Sequence, residues 1–284
     1  MNRNFGYLIV ISKSQKHRYD LMAILLAQSI KRTQKVGYDQ VALVTDDKEK
    51  ISWLKGMPYF DRVIFWDKQS HWDGRSWMDE LSPWEYTVCL DTDMIFFRDT
   101  SHWIDYFIKE NYLYVNNRVL QYNGLELTDD FCRKTFTKNQ LPMLYSAYTF
   151  FSKSDKTTEF FQLGREIILN PKEFKNFFLS NYIPEVVGTD EAFSLAAKIL
   201  DIEDQIAYPL EFPRFTHLKA ILQDGIKNGT VYEDLGYYFD EKTFKIGIFN
   251  QIDLLHYSDK DLDVGSLIQI YQNKFISNMK VTNG

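Results

Sequence analysis

The stretch YTVCLDTDMIFF, residues 86–97, decides how the rest of the chain is interpreted. Its first five residues are β-branched, aromatic or aliphatic, which is typical of a buried strand. Asp91 and Asp93 follow directly, and a second apolar run, Met94 to Phe97, comes after them. Ionised carboxylates between two core segments need a partner, and a divalent cation suits such a pair. The sequence therefore predicts a metal site at Asp91 and Asp93, with a capped turn as the alternative.

The same spacing occurs twice more, as Asp259/Asp261 and Asp261/Asp263. These acids lie in a polar stretch without flanking apolar runs, so we interpret them as solvated loop residues. The flanking sequence, and not the spacing, distinguishes the first pair.

Composition limits the class of protein. The chain has 284 residues, of which 45% are hydrophobic and 16% aromatic, so it can build a large core in one α/β domain or two small ones. The aromatic content is more than a minimal core needs, which indicates that some rings line a binding cleft. A net charge of −6 argues against general nucleic-acid binding through a positive surface, although a local basic groove stays open.

The two cysteines, Cys89 and Cys132, are too few for a disulfide framework or a four-ligand zinc site. We expect both to be reduced, as in a cytoplasmic protein. The run Tyr7 to Ile11 is too short for a signal-peptide core, and no stretch reaches the ~20 apolar residues of a membrane span. These observations predict a soluble protein without a membrane partner, located in the cytoplasm.

Strand and helix patterns alternate along the first hundred residues, which predicts right-handed crossovers and a mixed, mainly parallel sheet flanked by helices. Asp20 is predicted to cap the first long helix. The predicted strands are Tyr7–Ile11, Val41–Thr45, Val63–Trp66 and Tyr86–Leu90, with a short helix over Ile51–Leu54. Ligands of such sheets bind at the carboxyl ends of strands, where Asp46 and Asp47 fall together with Asp91 and Asp93.

The second half is less regular. Strands are predicted over Tyr112–Val115, Tyr148–Phe151 and Ile252–Leu255, and helices are predicted to begin after Ser154 and at Asp190. A polar stretch up to Met143 shows little periodicity. Because we find no repeat and no low-complexity linker, we predict one continuous domain over residues 1–284.

Several polar residues are candidates for a site, each with a simpler alternative. Asp46 and Asp47 could be turn residues, and Thr189, Asp190 and Glu191 could only cap a helix, but Gly188 before them allows close approach to a ligand. His256 ends an apolar strand and would complete a metal site beside the two acids, since imidazole suits ions such as Mn²⁺. Further candidates for contact with a phosphorylated ligand are Arg75, Thr92 and Lys260. The remaining histidines show no ligand spacing. No phosphate loop, dinucleotide turn or nucleophile elbow is present.

The ordered set of these segments resembles the GT-A glycosyltransferases, in particular the retaining galactosyltransferase- and glycogenin-like family. The resemblance covers most of the chain. Five segments carry it: Val44-Thr45-Asp46-Asp47, Tyr86 to Asp93, Ser146 to Lys153, Gly188-Thr189-Asp190-Glu191 and His256-Tyr257-Ser258-Asp259-Lys260. In the last, Ser258 stands where the family motif has Gly, and Lys260 comes one residue early.

The resemblance implies a Rossmann-like GT-A fold, with a nucleotide-binding half (1–100) and an acceptor-binding half (101–284). It implies that Thr45, Asp46 and Asp47 contact the nucleotide, that Asp91, Asp93 and His256 hold Mn²⁺ or Mg²⁺, and that Lys260 meets phosphate. Asp190 and Glu191 would then act beside the transferred sugar. The implied activity is a hexosyl- or pentosyltransferase that uses a nucleotide sugar, such as a UDP-sugar, with retention of configuration.

The style of the chain is also similar to glycosyltransferase-like proteins of large tailed phages, some of which modify hydroxymethylated DNA bases. The expected acceptor is therefore a glycan, a protein or such a DNA base, and a phage protein would act in the host cytoplasm. We expect the stretches 116–145 and 209–219 to bind the acceptor. Their candidate residues are Arg118, Tyr122, Arg133, Lys134, Lys138, Arg214, His217 and Lys219, although each could be a solvated loop residue.

Two other functions stay open. A sugar-phosphate nucleotidyltransferase would also combine a nucleotide-binding sheet with acids and a metal, but it needs an early glycine-rich basic loop, for which Ser12 to Lys16 is a poor substitute. An inactive sugar- or nucleic-acid-binding module is the alternative that is not an enzyme.

Overall fold

The computed structural model describes residues 4–14, 17–67, 74–110, 113–126, 134–178, 187–207, 213, 215–217, 237–239, 243–257 and 268. The strands in chain order are β1 Phe5–Ile11, β2 Val41–Thr45, β3 Arg62–Phe65, β4 Tyr86–Leu90, β5 Met94–Phe96, β6 Leu113–Asn116, β7 Val119–Leu120, β8 Tyr145–Ser152, β9 Phe215–His217, β10 Tyr237–Phe239, β11 Phe244–Ile246, β12 Phe249–Gln251 and β13 Leu254–His256. The helices are α1 Tyr19–Thr33, α2 Ile51–Lys55, α3 Met78–Leu81, α4 Ser101–Glu110, α5 Lys134–Asn139, α6 Asp155–Leu169, α7 Thr189–Ile199 and α8 Glu203–Ile206. Short 3-10 turns cover Gly74–Trp77 and Lys175–Phe177.

The main sheet has six strands in the order β3-β2-β1-β4-β8-β6. The first four are parallel, and β8 runs antiparallel to both of its neighbours. Helical crossovers connect the parallel strands, because a two-residue turn cannot join parallel neighbours. The carboxyl ends of β1, β2 and β4 therefore lie at one edge of the sheet, as the alternation in sequence predicts.

Both faces of the main sheet are covered, which explains why its strands are apolar without alternation. In β1, Tyr7 and Ile9 belong to one buried cluster and Leu8 to another. The first cluster also contains Leu254 and Leu255 from β13, so it joins residues from both ends of the chain. The second cluster contains apolar residues of α6 and α7.

A second sheet has four strands in the order β5-β13-β9-β7, and a third consists of β10, β11 and β12. The second sheet begins with β5, which follows β4 of the main sheet after residues 91–93 and pairs antiparallel with β13. The Ser29 hydroxyl on α1 accepts a hydrogen bond of 3.1 Å from Phe96 N, which fastens β5 to the first helix. The two sheets are thus joined at residues 91–93.

The mixed, mainly parallel sheet flanked by helices is confirmed, while the extent of the domain stays a prediction. The Ser154 cap is also confirmed, since its hydroxyl accepts a bond from Thr157 N. Two capping interpretations are wrong: Arg18 and Gly188 occupy the cap positions before α1 and α7, and neither Asp20 nor Asp190 caps a helix. Periodicity also missed the short helix α5. No helix in the described part of the chain is long and apolar enough to span a bilayer.

Candidate functional site

Asp91, Asp93 and His256 come together where the two sheets meet. Asp91 and Asp93 lie in the link between β4 and β5, and β5 pairs with β13 so that Met94 lies opposite His256. The His256 Nε2 atom is 2.9 Å from Asp93 Oδ1 and 3.6 Å from Asp91 Oδ2. Tyr257 N donates a 2.8 Å hydrogen bond to the Asp93 carbonyl oxygen, which fixes the backbone of the two segments against each other.

One ligand atom from each of these residues lies within 4.8 Å of the other two. Two carboxylates and an imidazole form a donor set that suits Mn²⁺ and, through its oxygens, Mg²⁺. Metal–ligand bonds of roughly 2.1 Å place neighbouring ligand atoms about 3 Å apart, which is comparable with the separations found here. These residues therefore fit a divalent cation. We refer to them as the acid–histidine group.

Arg75 connects this group to the helix α7. Its Nη1 atom is 2.8 Å from Asp91 Oδ1 and donates a 2.9 Å hydrogen bond to Ser146 Oγ on β8. The Ser146 backbone N and Oγ in turn donate to Asp190 Oδ1, at 2.8 and 2.5 Å. Burial alone would lower the pKa of Arg75, but the nearby carboxylates of Asp91 and Asp190 raise it, so the guanidinium stays charged. One connected chain of polar groups thus joins two predicted site acids.

The beginning of α7 explains why Asp190 is available for this contact. Gly188 is the cap residue and has no side chain of its own, while the Asp190 carboxylate accepts a hydrogen bond from Ser146 N on β8. A Cβ atom at position 188 would lie 2.7 Å from Glu191 Oε2, so the Glu191 carboxylate folds back over the glycine. The group that lies close to Gly188 in this structure is therefore Glu191, the second predicted acid. The close approach of a ligand to Gly188 stays a prediction.

An open cleft of about 160 Å³ lies at the carboxyl end of β1. Two predicted donor-binding residues, Arg75 and Thr92, line it, and Thr92 stands between the two acids of the acid–histidine group. We call it the β1 cleft. The other residues that line it are Val10, Ile11, Ser12, Tyr19 and Gly74.

A much smaller pocket of about 10 Å³ adjoins the β1 cleft and shares Ile11, Ser12 and Tyr19 with it. Thr45 and Asp47, at the end of β2, line this Thr45 pocket. Asp46 does not line it, but Asp46 Oδ1 accepts a 2.5 Å hydrogen bond from Lys13 N and so holds the loop after β1. Lys260 lies outside the described residues.

The predicted acceptor residues are dispersed. Arg118 forms an ion pair with Glu126 at 2.9 Å, Tyr122 contacts the Phe249 ring, and the His217 ring lies 4.4 Å from the His256 ring between centroids. Lys134 and Lys138 lie on α5. Arg133, Arg214 and Lys219 fall outside the described residues.

No site role was predicted for Ser146 or Tyr19, and the contact of His217 with His256 was not predicted. Ser146 was only part of a strand, and its link to Arg75 and Asp190 depends on β8 lying beside β4. His217 meets His256 because β9 pairs with β13 in that register. A spacing rule could not find these residues, since strand pairings distant in sequence bring them together.

The architecture matches a known one. The crystal structure of mouse xyloside xylosyltransferase 1 in its apo form superposes with a TM-score of 0.53 and 11% sequence identity, over 91% of this chain and 99% of that chain. The chain has a GT-A-like glycosyltransferase fold. At this identity the likeness establishes the fold alone. No protein-family model matches the sequence, and no curated protein sequence matches it significantly.

Proposed function

We propose that this protein transfers a sugar from a nucleotide-sugar donor to an acceptor hydroxyl with the help of a divalent cation. One observation carries the proposal: the acid–histidine group adjoins the β1 cleft, because Thr92, which lies between Asp91 and Asp93, and Arg75, which pairs with Asp91, both line the cleft. In an open α/β sheet the carboxyl ends of strands are where ligands bind. The fold, the cleft and the ligand set agree on the same place.

The Thr45 pocket and the β1 cleft lie side by side, since Ile11, Ser12 and Tyr19 line both. We assign the nucleoside to the surface beside Thr45 and Asp47 and the diphosphate to the cleft, beside Arg75 and Thr92. Lys260 is retained as a candidate phosphate contact. The donor is expected to be a UDP-sugar, and a xylosyl donor belongs among those tested because the structural relative is a xylosyltransferase.

Asp91, Asp93 and His256 would hold Mn²⁺ or Mg²⁺. Such an ion, when bound, supplies Lewis-acid stabilisation for the negative charge of a departing diphosphate. Arg75 holds Asp91 through one oxygen, Oδ1, while the other, Oδ2, faces His256. Arg75 therefore orients this carboxylate, and its charge also favours the diphosphate.

Asp190 and Glu191 are assigned to the sugar side of the reaction. Asp190 is fixed through Oδ1 by two hydrogen bonds from Ser146. A fixed carboxylate can stabilise positive charge that develops at the anomeric carbon or can orient the acceptor hydroxyl. Retention of configuration is part of the proposal through the family resemblance alone.

The test is turnover of nucleotide sugars with and without Mn²⁺, measured as release of the nucleotide diphosphate. We expect activity with at least one UDP-sugar, its loss after chelation and recovery on addition of metal. Asp93→Asn, which keeps the shape of the side chain, should lower turnover at least ~100-fold while the protein stays folded.

Asp155→Asn is the matched control, because Asp155 is an exposed acid on α6. Normal turnover by a folded Asp93→Asn variant in excess Mn²⁺ would refute the metal assignment. Pyrophosphate release from a sugar phosphate and a nucleoside triphosphate would instead favour the nucleotidyltransferase. Absence of any turnover, together with saturable sugar binding, would favour the inactive module.

A further inference from the structure

A second groove of about 200 Å³ opens on the four-stranded sheet. We call it the Tyr122–Phe249 groove. None of the residues assigned above to the cation, the nucleotide or the transferred sugar lines it. The side chains that matter for its chemistry are Tyr122, Asn123, Phe249, Asn250, Ile252 and Asp253.

Two short segments form the walls of the groove. The first is a tight turn, in which Gly124 N donates to the Gln121 carbonyl at 2.9 Å and Gln121 N donates to the Leu125 carbonyl at 2.7 Å. Gly124 has φ +84°, a conformation that glycine adopts without strain. The second segment is β12. The buried Gln251 side chain donates through Nε2 to the Tyr122 carbonyl at 2.9 Å, which joins the two walls.

Aromatic, aliphatic and amide side chains make up most of the lining. The Tyr122 and Phe249 rings meet edge to face at 5.6 Å, and the Phe249 residue stays 38% exposed beside Ile252, which is 54% exposed. Asn250 is exposed as well. An apolar surface with a few well-placed polar groups is typical of a small-molecule site, and an amide offers both donors and acceptors to a hydroxyl-rich ligand.

Charge decides between ligand classes. Among its described lining residues the groove has no lysine or arginine, and its one acid, Asp253, is paired with Arg98. Nucleic-acid grooves need cations that meet the phosphates, so this lining disfavours DNA. A neutral ligand that offers hydroxyl groups and apolar faces fits it better.

We infer that the Tyr122–Phe249 groove binds a neutral glycan chain. Phe249 and Tyr122 provide a surface for the C–H faces of the sugar rings, while Asn123 and Asn250 meet their hydroxyls. Leu254 lines the groove and precedes His256 by two residues on β13, so about 7 Å of strand separates the groove from the acid–histidine group. That this glycan is the acceptor rests on the proposed function, whereas its binding does not.

Binding of the protein to an array of immobilised neutral glycans, without donor or metal, tests the inference. We expect at least one glycan to be bound, and Phe249→Ala to weaken that binding by about 10-fold or more. Asn250→Ala should weaken it less. Both side chains are exposed, so both variants should keep the fold. Phe177→Ala is the matched control, since Phe177 is 50% exposed and does not line the groove.

Two further measurements separate this inference from the proposed function. Mn²⁺-dependent binding of UDP should be unchanged in Phe249→Ala. If the parent protein binds no UDP, the proposed function fails, but the glycan measurement still tests this inference. A labelled single-stranded DNA should not compete with the bound glycan. The inference is overturned by an array without binding, by glycan binding that Phe249→Ala leaves unchanged, by competition from DNA, or by a dimer that Phe249→Ala dissociates.

Discussion

The β1 cleft, of about 160 Å³, and the Tyr122–Phe249 groove, of about 200 Å³, are similar in size, but different kinds of side chain line them. Beside the cleft, Arg75 pairs with the carboxylate of Asp91, and its hydroxyl partner Ser146 contacts Asp190. In the groove, the walls are held by hydrogen bonds from an uncharged amide, Gln251, and from the backbone. Charged groups thus organise the cleft, whereas the groove has amide and backbone hydrogen bonds and one acid, Asp253, that is paired with Arg98.

This difference separates two tasks. A site for a diphosphate and a cation must hold fixed charges close together, and these charges need mutual partners when they are buried. A site for a neutral chain needs apolar surface and hydrogen-bonding groups without fixed charge. Variants of the cleft should therefore affect donor binding and turnover, and variants of the groove should affect glycan binding.

The largest effect is expected at Arg75. Arg75→Gln removes the cation that pairs with Asp91 and that we assign to the diphosphate, so kcat/KM for donor turnover should fall about 100-fold. Arg75→Lys should recover part of this loss, because a lysine keeps the charge but lacks the planar fork. Steady-state kinetics with Arg62→Gln as an exposed control measures the effect. Turnover of Arg75→Gln within twofold of the parent would contradict the role of Arg75.

The next effect is at His256. His256→Ala removes one of three ligands and should weaken Mn²⁺-dependent binding of UDP by about 10-fold or more, which corresponds to about 1.4 kcal/mol. Calorimetric titration measures this, and His102→Ala, an exposed histidine on α4, is the control. Glycan binding by the groove should not change. Equal affinities of the parent and His256→Ala at limiting metal would rule out the histidine as a ligand.

Salt sharpens the contrast between the two sites. Raising the salt concentration from about 50 mM to about 200 mM should weaken UDP binding several-fold, because the diphosphate and the cleft charges are screened. Glycan binding should stay within about twofold over the same range, since the groove has no cation among its described lining residues. Parallel titrations decide the matter. If glycan affinity falls with salt as steeply as UDP affinity does, the assignment of an uncharged ligand to the groove is wrong.

The smallest effect concerns the free energy of unfolding and involves Asp20, which lines the Thr45 pocket. Burial would raise the pKa of Asp20, but the hydrogen bond and charge of Lys50, together with Arg18, hold it below its ordinary value. The resulting stability is fully present above the unfolded pKa of about 3.9 and is lost as the pH falls through the lower folded pKa.

Asp20→Asn should therefore lower the free energy of unfolding at pH 7 by no more than about 1 kcal/mol, because Lys50 and Arg18 are partly exposed. The difference from the parent should shrink below pH 4. Urea unfolding at several pH values measures it, with Phe249→Ala as a groove variant whose effect should not depend on pH. A difference between Asp20→Asn and the parent that grows on acidification would show that the carboxylate is not stabilised by its partners.

Much of the main sheet could be predicted from sequence. Val41–Thr45 and Tyr86–Leu90 are strands with the predicted boundaries, because buried parallel strands are continuous apolar runs that end abruptly at polar residues. The same property indicated where Asp91 and Asp93 would lie. Helix beginnings were harder, since Asp20 and Asp190 are good capping residues by type, yet their side chains bind Lys50 and Ser146 instead. Local preference could not anticipate partners from distant strands and helices.

Residues that are close along the chain were enough to predict the alternation of strands and helices, the position of the two acids at a strand end, and the candidacy of His256. Tertiary structure alone decided that His256 meets Asp93 across 163 positions, that Arg75 joins Asp91 to Ser146, and that Tyr122 and Phe249 face each other. Each of these contacts depends on the order and register of strands. Register is fixed by the packing of whole faces against the core, which no local pattern encodes.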